Sequence, residues 1–107
     1  MREQQIQTDI LLEFGSRPDV RLWRCNVIVA KTPEGGRIRS LPKGHPDIAG
    51  ILAGGRALYI EVKSATGRLS KEQTAFRDMA LGLGALWVLA RSVQDVHDAI
   101  QKHPDKA

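Results

Sequence analysis

Residues 44–64 read GHPDIAGILAGGRALYIEVKS and contain both the predicted central hairpin of the chain and the acids of its candidate site. The segments DIAGILA (47–53) and RALYIEVKS (56–64) have the composition of strands, and the Gly54–Gly55 pair between them is typical of a hairpin turn. Asp47 begins the first strand after a proline-led turn, and Glu61 lies near the end of the second. If the two strands pair, their carboxylates converge.

The rest of the chain predicts helices and strands around this hairpin. A helix of residues 3–15 carries Ile6, Ile10 and Phe14 at helical spacing and ends at Gly15. The further elements are a strand over 21–30, a helix over 69–84 with a capping box at its start, a strand over 85–90 and a helix over 92–100 with a Ser-x-x-Asp cap. The order αβββαβα predicts an α/β fold in which helices flank a mixed sheet.

Length and composition predict one stand-alone domain over residues 1–107. A chain of 107 residues with 42% hydrophobic content has room for a single core. The one cysteine, Cys25, lies in an apolar run and is expected to pack as a small hydrophobic residue in a reducing environment. The polar N-terminus and the lack of a long apolar run predict a soluble, cytoplasmic protein without a membrane partner.

The charge distribution points to a polyanionic partner. Sixteen Lys and Arg face twelve Asp and Glu, for a net charge of +4 and a pI near 9.6. The segment KTPEGGRIRSLPK (31–43) is either a solvated loop or a mobile basic loop that meets phosphates. The cations of this segment are Lys31, Arg37, Arg39 and Lys43. His45, two residues beyond it, either contacts a phosphate or is an ordinary loop residue.

Aromatic residues offer a second way to bind nucleic acid, by stacking on bases. Trp23, Phe76 and Trp87 each lie in an apolar pattern, which favours the core for all three. His97 and His103 have no companion Cys or His at ligand spacing, so the sequence gives a zinc site little support.

Glu61 and Lys63 are two residues apart on a strand and point to the same face, opposite Ile60 and Val62. Such a pair commonly lies on an exposed edge strand and has no function. Asp47 at the start of the partner strand adds a second carboxylate and strengthens the case for a functional site. Two facing carboxylates repel unless one is protonated or a cation lies between them. Mg²⁺ prefers such oxygen ligands and keeps several waters, and an adjacent lysine suits water activation and charge compensation at phosphorus. The set predicts metal-assisted phosphodiester hydrolysis.

These residues resemble a known signature. GHPD followed, after 13 intervening residues, by Glu-Val-Lys is similar to the PD-(D/E)xK nuclease motif. Together with EQQIQ at residues 3–7 and IEVKSATGRLSKEQ at 60–73, it resembles the virus-type replication-repair nuclease (VRR-NUC) family over about Glu3 to Val93. The resemblance implies the restriction-endonuclease-like fold and a divalent-metal-dependent endonuclease. It also implies a homodimer that cuts branched DNA such as Holliday junctions.

The resemblance also implies roles for single residues. Asp47 and Glu61 match the metal-binding acids, with the Val62 carbonyl as a further ligand of Mg²⁺, for which Mn²⁺ would substitute, and Lys63 matches the catalytic lysine. Glu3 matches a helix-borne acid of the site, although an acid in the first turn of a helix is also favourable on its own. Gln73 matches a glutamine near the site, and its place in a capping box explains it equally well.

Two alternatives stay open at this stage. Beside the endonuclease that cuts branched DNA stand a flap-cutting or nicking nuclease subunit recruited by a larger partner and a non-catalytic basic DNA-binding module. The Asp47, Glu61 and Lys63 set disfavours the module, because converging acids repel phosphate when no metal is present. A repair enzyme of a free-living cell and a phage or prophage resolvase carry the same signature.

Overall fold

The computed structural model describes residues 2–103, and within them a mixed sheet is flanked by helices. The elements are α1 Glu3–Phe14, β1 Val20–Arg24, β2 Val29–Lys31, β3 Arg37–Arg39, β4 Ile48–Leu52, β5 Ala57–Val62, α2 Lys71–Gly82, β6 Leu86–Ala90 and α3 Val93–Lys102. None of the helices in residues 2–103 has the length and apolarity needed to span a bilayer.

The central hairpin forms as predicted. The main sheet has the strand order β1-β4-β5-β6, in which β1, β4 and β5 are antiparallel neighbours and β6 runs parallel to β5. Gly54 and Gly55 both adopt positive φ, the backbone region in which only glycine is free of strain, and so permit the tight turn between β4 and β5. In this register Ile48 lies opposite Ile60, which brings the residue before β4, Asp47, to Glu61.

The main hydrophobic core lies on one face of the sheet, beneath α1 and α3. Alternate residues of the strands point into it, as period-two alternation requires, and the predicted inward orientation of Ile60 and Val62 is confirmed. The buried residues are Ile6, Ile10, Phe14, Val20, Ile48, Leu52, Leu58, Ile60, Val62, Leu86, Val88, Ala90 and Val96.

The opposite face is only partly covered, because α2 packs over β5 and β6 and leaves Trp23 of β1 and Ile51 of β4 exposed. Phe76 of α2 is buried against Tyr59 and Trp87. Trp23 on β1, in contrast, is 45% exposed, so its predicted place in the core is wrong. The apolar pattern of a strand identifies a face of the sheet but does not say whether a helix covers it.

A two-stranded ribbon replaces the predicted loop and shortens the predicted strand. Residues 21–30 do not form one strand: β1 ends at Arg24 and β2 begins at Val29. β2 pairs with β3 in an antiparallel ribbon, closed by a turn in which the Thr32 N–H donates to the Gly36 carbonyl (2.8 Å). We call residues 26–40 the basic ribbon, since three of its strand residues, Lys31, Arg37 and Arg39, are cations.

At Gly44 the turn before Asp47 packs closely against the backbone of the first turn of α2. Its φ is +80°, and a Cβ placed there would lie 2.1 Å from the Glu72 carbonyl oxygen. The turn therefore reaches the helix only because residue 44 has no side chain.

Replacing Gly44 by Ala should lower the free energy of unfolding by more than about 3 kcal/mol, because left-handed strain and a backbone clash act together. Gly35→Ala is the matched control: its φ is +86°, but a Cβ there meets nothing within 4 Å. We expect the control to lose only about 1 kcal/mol, from strain alone. Urea unfolding with unchanged slopes measures both, and equal losses would show that the close contact with α2 is unimportant.

Candidate active site

The β4–β5 hairpin brings Asp47 and Glu61 together at one end of the main sheet. Asp47 directly precedes β4, and its Oδ2 accepts a hydrogen bond from the backbone N–H of Val62 (3.0 Å). That bond holds the Asp47 carboxylate beside the last residue of strand β5, next to Glu61. The predicted convergence of the two acids is therefore present.

Glu61 is the buried charged residue of the site, with only 2% of its surface exposed. Its Oε2 accepts a hydrogen bond from Gln73 Nε2 (3.2 Å) and lies 3.9 Å from Lys63 Nζ. Its Oε1 is buried and accepts no hydrogen bond in the structure. Because buried polar atoms are nearly always paired, an oxygen that accepts no hydrogen bond is available to a proton or a cation.

Burial raises the pKa of Glu61 to about 8, and the neighbouring Asp47 carboxylate adds to the rise through its charge and its hydrogen bond. Lys63 opposes the shift, and the more distant charge of Glu3 reinforces it. Metal-free Glu61 therefore holds a proton at neutral pH. A shared proton relieves the repulsion between two carboxylates, as a cation would.

The donor atoms fit a divalent cation. The unpaired Glu61 Oε1 and the Asp47 carboxylate are hard oxygen ligands of the kind that Mg²⁺ takes, often one or two to a site with water completing the shell. Within residues 2–103, no three His, Cys, Asp or Glu side chains are grouped closely enough to hold a metal ion. The fit therefore rests on two carboxylates, and the Val62 carbonyl as a further ligand stays a prediction.

Glu3 lies at the edge of the site. Its side chain is exposed on the first turn of α1, and its Oε2 accepts a long hydrogen bond from the Ser64 N–H (3.4 Å). It is near enough for its charge to act on Glu61 but does not complete a three-acid group. Its role in metal binding or catalysis stays a prediction.

Lys63 follows β5 directly and points to the same side as Glu61, as the two-residue spacing predicts. Its side chain is only 13% exposed, and its ammonium lies beside Glu61 Oε2. The backbone N–H of Lys63 donates to the Ala90 carbonyl (3.0 Å), which extends the β5–β6 pairing by one residue. The ammonium is thus held at the site by regular sheet structure.

Gln73 combines the two roles that the sequence left open. Its Oε1 accepts from the Ser70 N–H (2.8 Å), and its own N–H donates to Ser70 Oγ (3.1 Å), which completes the capping box of α2. Since the amide oxygen is engaged at the helix start, the amide nitrogen faces Glu61. The cap therefore orients the hydrogen bond that holds the buried acid.

Arg91 is a positioning residue that the sequence did not reveal. Its guanidinium Nη1 donates to the carbonyl oxygens of Ser64 and Gly67 (2.9 Å to Gly67), and so ties down the loop that follows Lys63. Arg91 comes directly after β6, and the parallel pairing of β5 with β6 places both strand ends at one edge. The pairing of β5 with β6 belongs to the tertiary structure and cannot be read from local sequence. The one local signal for Arg91 is its position directly after the apolar run that ends at Ala90.

The predicted nucleic-acid-binding residues fall into two places. Lys31, Arg37 and Arg39 lie on the basic ribbon, and Lys43 is exposed in the turn before Asp47. His45 is half-buried, with its ring edge against Tyr59 and Phe76 and its Nδ1 2.9 Å from the Pro46 carbonyl oxygen. The ring thus has a packing role, and its contact with phosphate stays a prediction.

Comparison with known proteins places the chain in a family. Residues 2–94 match the model of the VRR-NUC domain. A solved structure described as a VRR_NUC domain superimposes with a TM-score of 0.65 at 20% identity, over 96% of this chain and 97% of that one. At this identity the likeness shows the fold, a mixed sheet flanked by helices that is consistent with the PD-(D/E)xK arrangement. No curated protein matches the chain.

The stability of the metal-free protein should fall as pH rises from about 5 to about 8. Unfolded Glu61 loses its proton near its ordinary pKa of 4.5, whereas folded Glu61 keeps it to about 8, so the folded state binds more protons in this window. The Glu61 contribution approaches a slope of about −1.4 kcal/mol per pH unit. Chemical unfolding in EDTA at several pH values measures it, and Glu61→Gln should remove that slope. A variant with the wild-type profile would show that Glu61 is ionised throughout.

Proposed function

The chain belongs to the VRR-NUC family of nuclease domains, and on that premise we propose that it is a divalent-metal-dependent endonuclease that hydrolyses phosphodiester bonds in branched DNA. Family membership makes it a nuclease with DNA as its substrate. The metal requirement, the internal position of the cut and the preference for branched DNA such as Holliday junctions are our proposals.

The observation that carries the proposal is the unpaired, buried Oε1 of Glu61 beside Asp47 and Lys63. A domain that only binds DNA has no use for a buried acid whose pKa is raised and whose oxygen lacks a partner. Such a group is unfavourable for folding, and perturbed acids of this kind concentrate at functional sites. The non-catalytic module is therefore the weaker reading.

Asp47 and Glu61 would hold the metal ion, with the Val62 carbonyl as a further ligand and Glu3 close by. We propose Mg²⁺, with Mn²⁺ able to substitute. When bound, the ion polarises a phosphoryl oxygen and lowers the pKa of a coordinated water. Binding requires the ionised form of Glu61, so the proton that the metal-free site holds must leave first.

Lys63 and Gln73 act around this pair. Hydrolysis forms a bond from a water oxygen to phosphorus and breaks the bond from phosphorus to the leaving oxygen, with one proton lost by the water and one gained by the leaving group. The Lys63 ammonium, held beside Glu61, orients the water and stabilises the hydroxide that forms when the water loses its proton to solvent, and it offsets the charge that develops on the phosphoryl oxygens. Gln73 fixes the Glu61 carboxylate through its hydrogen bond.

The basic ribbon supports binding to the DNA backbone. Lys31 lies directly across the ribbon from Arg37, and like charges opposite each other are destabilising. Among the described residues, no salt bridge neutralises Lys31, Arg37 or Arg39. A phosphate placed between them relieves the repulsion and releases counterions from the DNA.

A homodimer would supply the second site that paired cuts in a junction require. We propose that the second copy packs on the exposed apolar surface formed by Trp23 and Ile51 of the main sheet, by Met79 of α2 and by Leu83, which directly follows α2. Ile51 lies opposite Ala57, which lines a recess together with Met79 and Leu83, so the surface continues from the sheet onto the helix. Leu83 is 80% exposed, which is unusual for a leucine with no partner.

Wild-type protein in Mg²⁺ should cut a labelled four-way junction and leave a linear duplex of the same sequence intact. EDTA should abolish cleavage, and Glu61→Gln and Lys63→Met should each lower it by at least about a hundredfold, since the first removes a metal-binding carboxylate and the second the ammonium beside the reacting phosphate. Glu61→Gln keeps the hydrogen-bonding shape of the protonated acid, so it should fold. Asp98→Asn, an exposed change on α3, is the matched control and should cut normally.

A second readout separates metal binding from cleavage. Without DNA, Mg²⁺ should raise the unfolding temperature of the wild type and not that of Glu61→Gln. If the wild type cuts nothing in Mg²⁺ or Mn²⁺ and the metal leaves its stability unchanged, the enzymatic proposal fails.

The dimer proposal predicts a mass near twice 11.8 kDa by light scattering, and Met79→Glu/Leu83→Glu should reduce it to one chain. A buried charge without a partner disrupts an apolar interface. The variant should then nick the junction in single strands rather than cut it in pairs. Leu12→Glu, an equally exposed leucine on α1, should leave the mass unchanged. A monomeric wild type would disprove the dimer while leaving a nicking nuclease.

A further inference from the structure

We propose that the basic ribbon recognises the branch point itself: its cations hold a phosphate backbone, while Ile28 and Ile38 on its other face pack against bases that are unpaired there. The inference rests on the proposed function and adds to it the feature of the DNA that sets substrate choice.

The two faces of the ribbon differ in chemistry. Residues opposite each other in an antiparallel pair share a face, so the pairs Lys31–Arg37 and Val29–Arg39 place all three cations on one side. The pair Ala30–Ile38 lies on the other side, together with Ile28, which directly precedes β2 and continues its pairing by accepting from the Ser40 N–H (2.8 Å). The ribbon is therefore basic on one face and apolar on the other.

The apolar face is open to solvent. Ile28 is 66% exposed and Ile38 62%, and neither joins a hydrophobic cluster of the described chain. Isoleucine favours strands, but so does threonine, which would give a ribbon of the same shape without exposing an apolar surface. Two neighbouring, exposed isoleucines on a projecting ribbon indicate a contact made outside this chain.

Charge selects DNA as the occupant. The two faces of the ribbon point in opposite directions, so when the basic face lies on one phosphate backbone the apolar face points away from it. On a continuous duplex the apolar face then stays in solvent. At a branch, the unstacked bases offer apolar faces instead, and isoleucine is among the side chains that proteins insert beside such bases. The apolar face therefore favours a branch over a continuous duplex.

The root of the ribbon fixes the distance between branch and cut. The Cys25 N–H donates to the Asp47 carbonyl (2.8 Å), so the ribbon leaves and rejoins the main sheet beside a metal-site acid. Since an extended chain spans at most about 3.5 Å per residue, Ile28, three residues on, lies within about 10 Å of this root. With a backbone repeat of about 3.4 Å per nucleotide, the branch should lie within about three nucleotides of the cut phosphate.

Binding measured in EDTA tests the proposal without depending on cleavage. The variant Ile28→Thr/Ile38→Thr alters the apolar face, and Arg37→Gln/Arg39→Gln is its counterpart on the basic face. The substrates are a four-way junction and a duplex, each with 2-aminopurine, which brightens on unstacking, three nucleotides from the expected cut. The threonine variant should bind the duplex within about twofold of wild type, bind the junction about tenfold more weakly and lose the fluorescence increase. The glutamine variant should weaken both complexes and lower the salt dependence by about two counterions.

Each contrary result has a distinct meaning. Unchanged junction preference in the threonine variant, or equal losses on both substrates, would overturn the inference. So would a fall in its mass by light scattering, which would assign the apolar face to a second copy of the chain. A wild type that prefers the junction in EDTA but cuts nothing in Mg²⁺ would refute the proposed enzyme and leave the ribbon's role standing.

Discussion

The closeness of the Asp47 and Glu61 carboxylates is the constraint to which the rest of the structure responds. The register of one hairpin places them together, and the hydrophobic side chains of β4 and β5 prevent a slip, since a shift of one residue would turn Ile48, Ile60 and Val62 away from the core. Apolar packing on one face of the sheet thus maintains an unfavourable electrostatic contact on the other.

The polar surroundings of the pair reduce its free-energy cost without removing it. A backbone N–H donates a hydrogen bond to Asp47. Gln73 donates to one oxygen of Glu61, and the Lys63 ammonium lies beside that same oxygen, while the other oxygen accepts no hydrogen bond. If every atom were satisfied, the pair would be a structural ion network with no affinity left for a ligand. Because one oxygen of Glu61 accepts no hydrogen bond, the pair of carboxylates keeps the capacity to bind a cation. The same unpaired oxygen makes the folded state less stable than its hydrophobic core alone would allow.

Local sequence patterns predicted most of the helices and strands and the two site acids, Asp47 and Glu61. The features that the sequence did not predict depend on contacts between distant parts of the chain. The hairpin, the caps of α2 and α3, and the shared side of Glu61 and Lys63 all follow from spacings of two to four residues. The apolar run 27–30 looked continuous with β1, because a sequence does not show where a strand leaves a sheet. The exposure of Trp23 depends on where α2 packs, and the role of Arg91 depends on the pairing of strand residues that are 28 positions apart.

The single hydrogen-bonded root of the ribbon makes it a separable module. Residues 26–40 depart from and return to neighbouring positions, where Ser40 Oγ donates to the Asn26 carbonyl (3.3 Å), so their length can change without moving the acids. Adding two residues to each ribbon strand preserves which face is basic and extends its reach by about 6.6 Å, whereas adding one exchanges the faces. If the ribbon contacts the branch as proposed, related domains are free to diverge in the span of DNA between branch and cut, in steps of about two nucleotides, while the acids at the sheet stay in place.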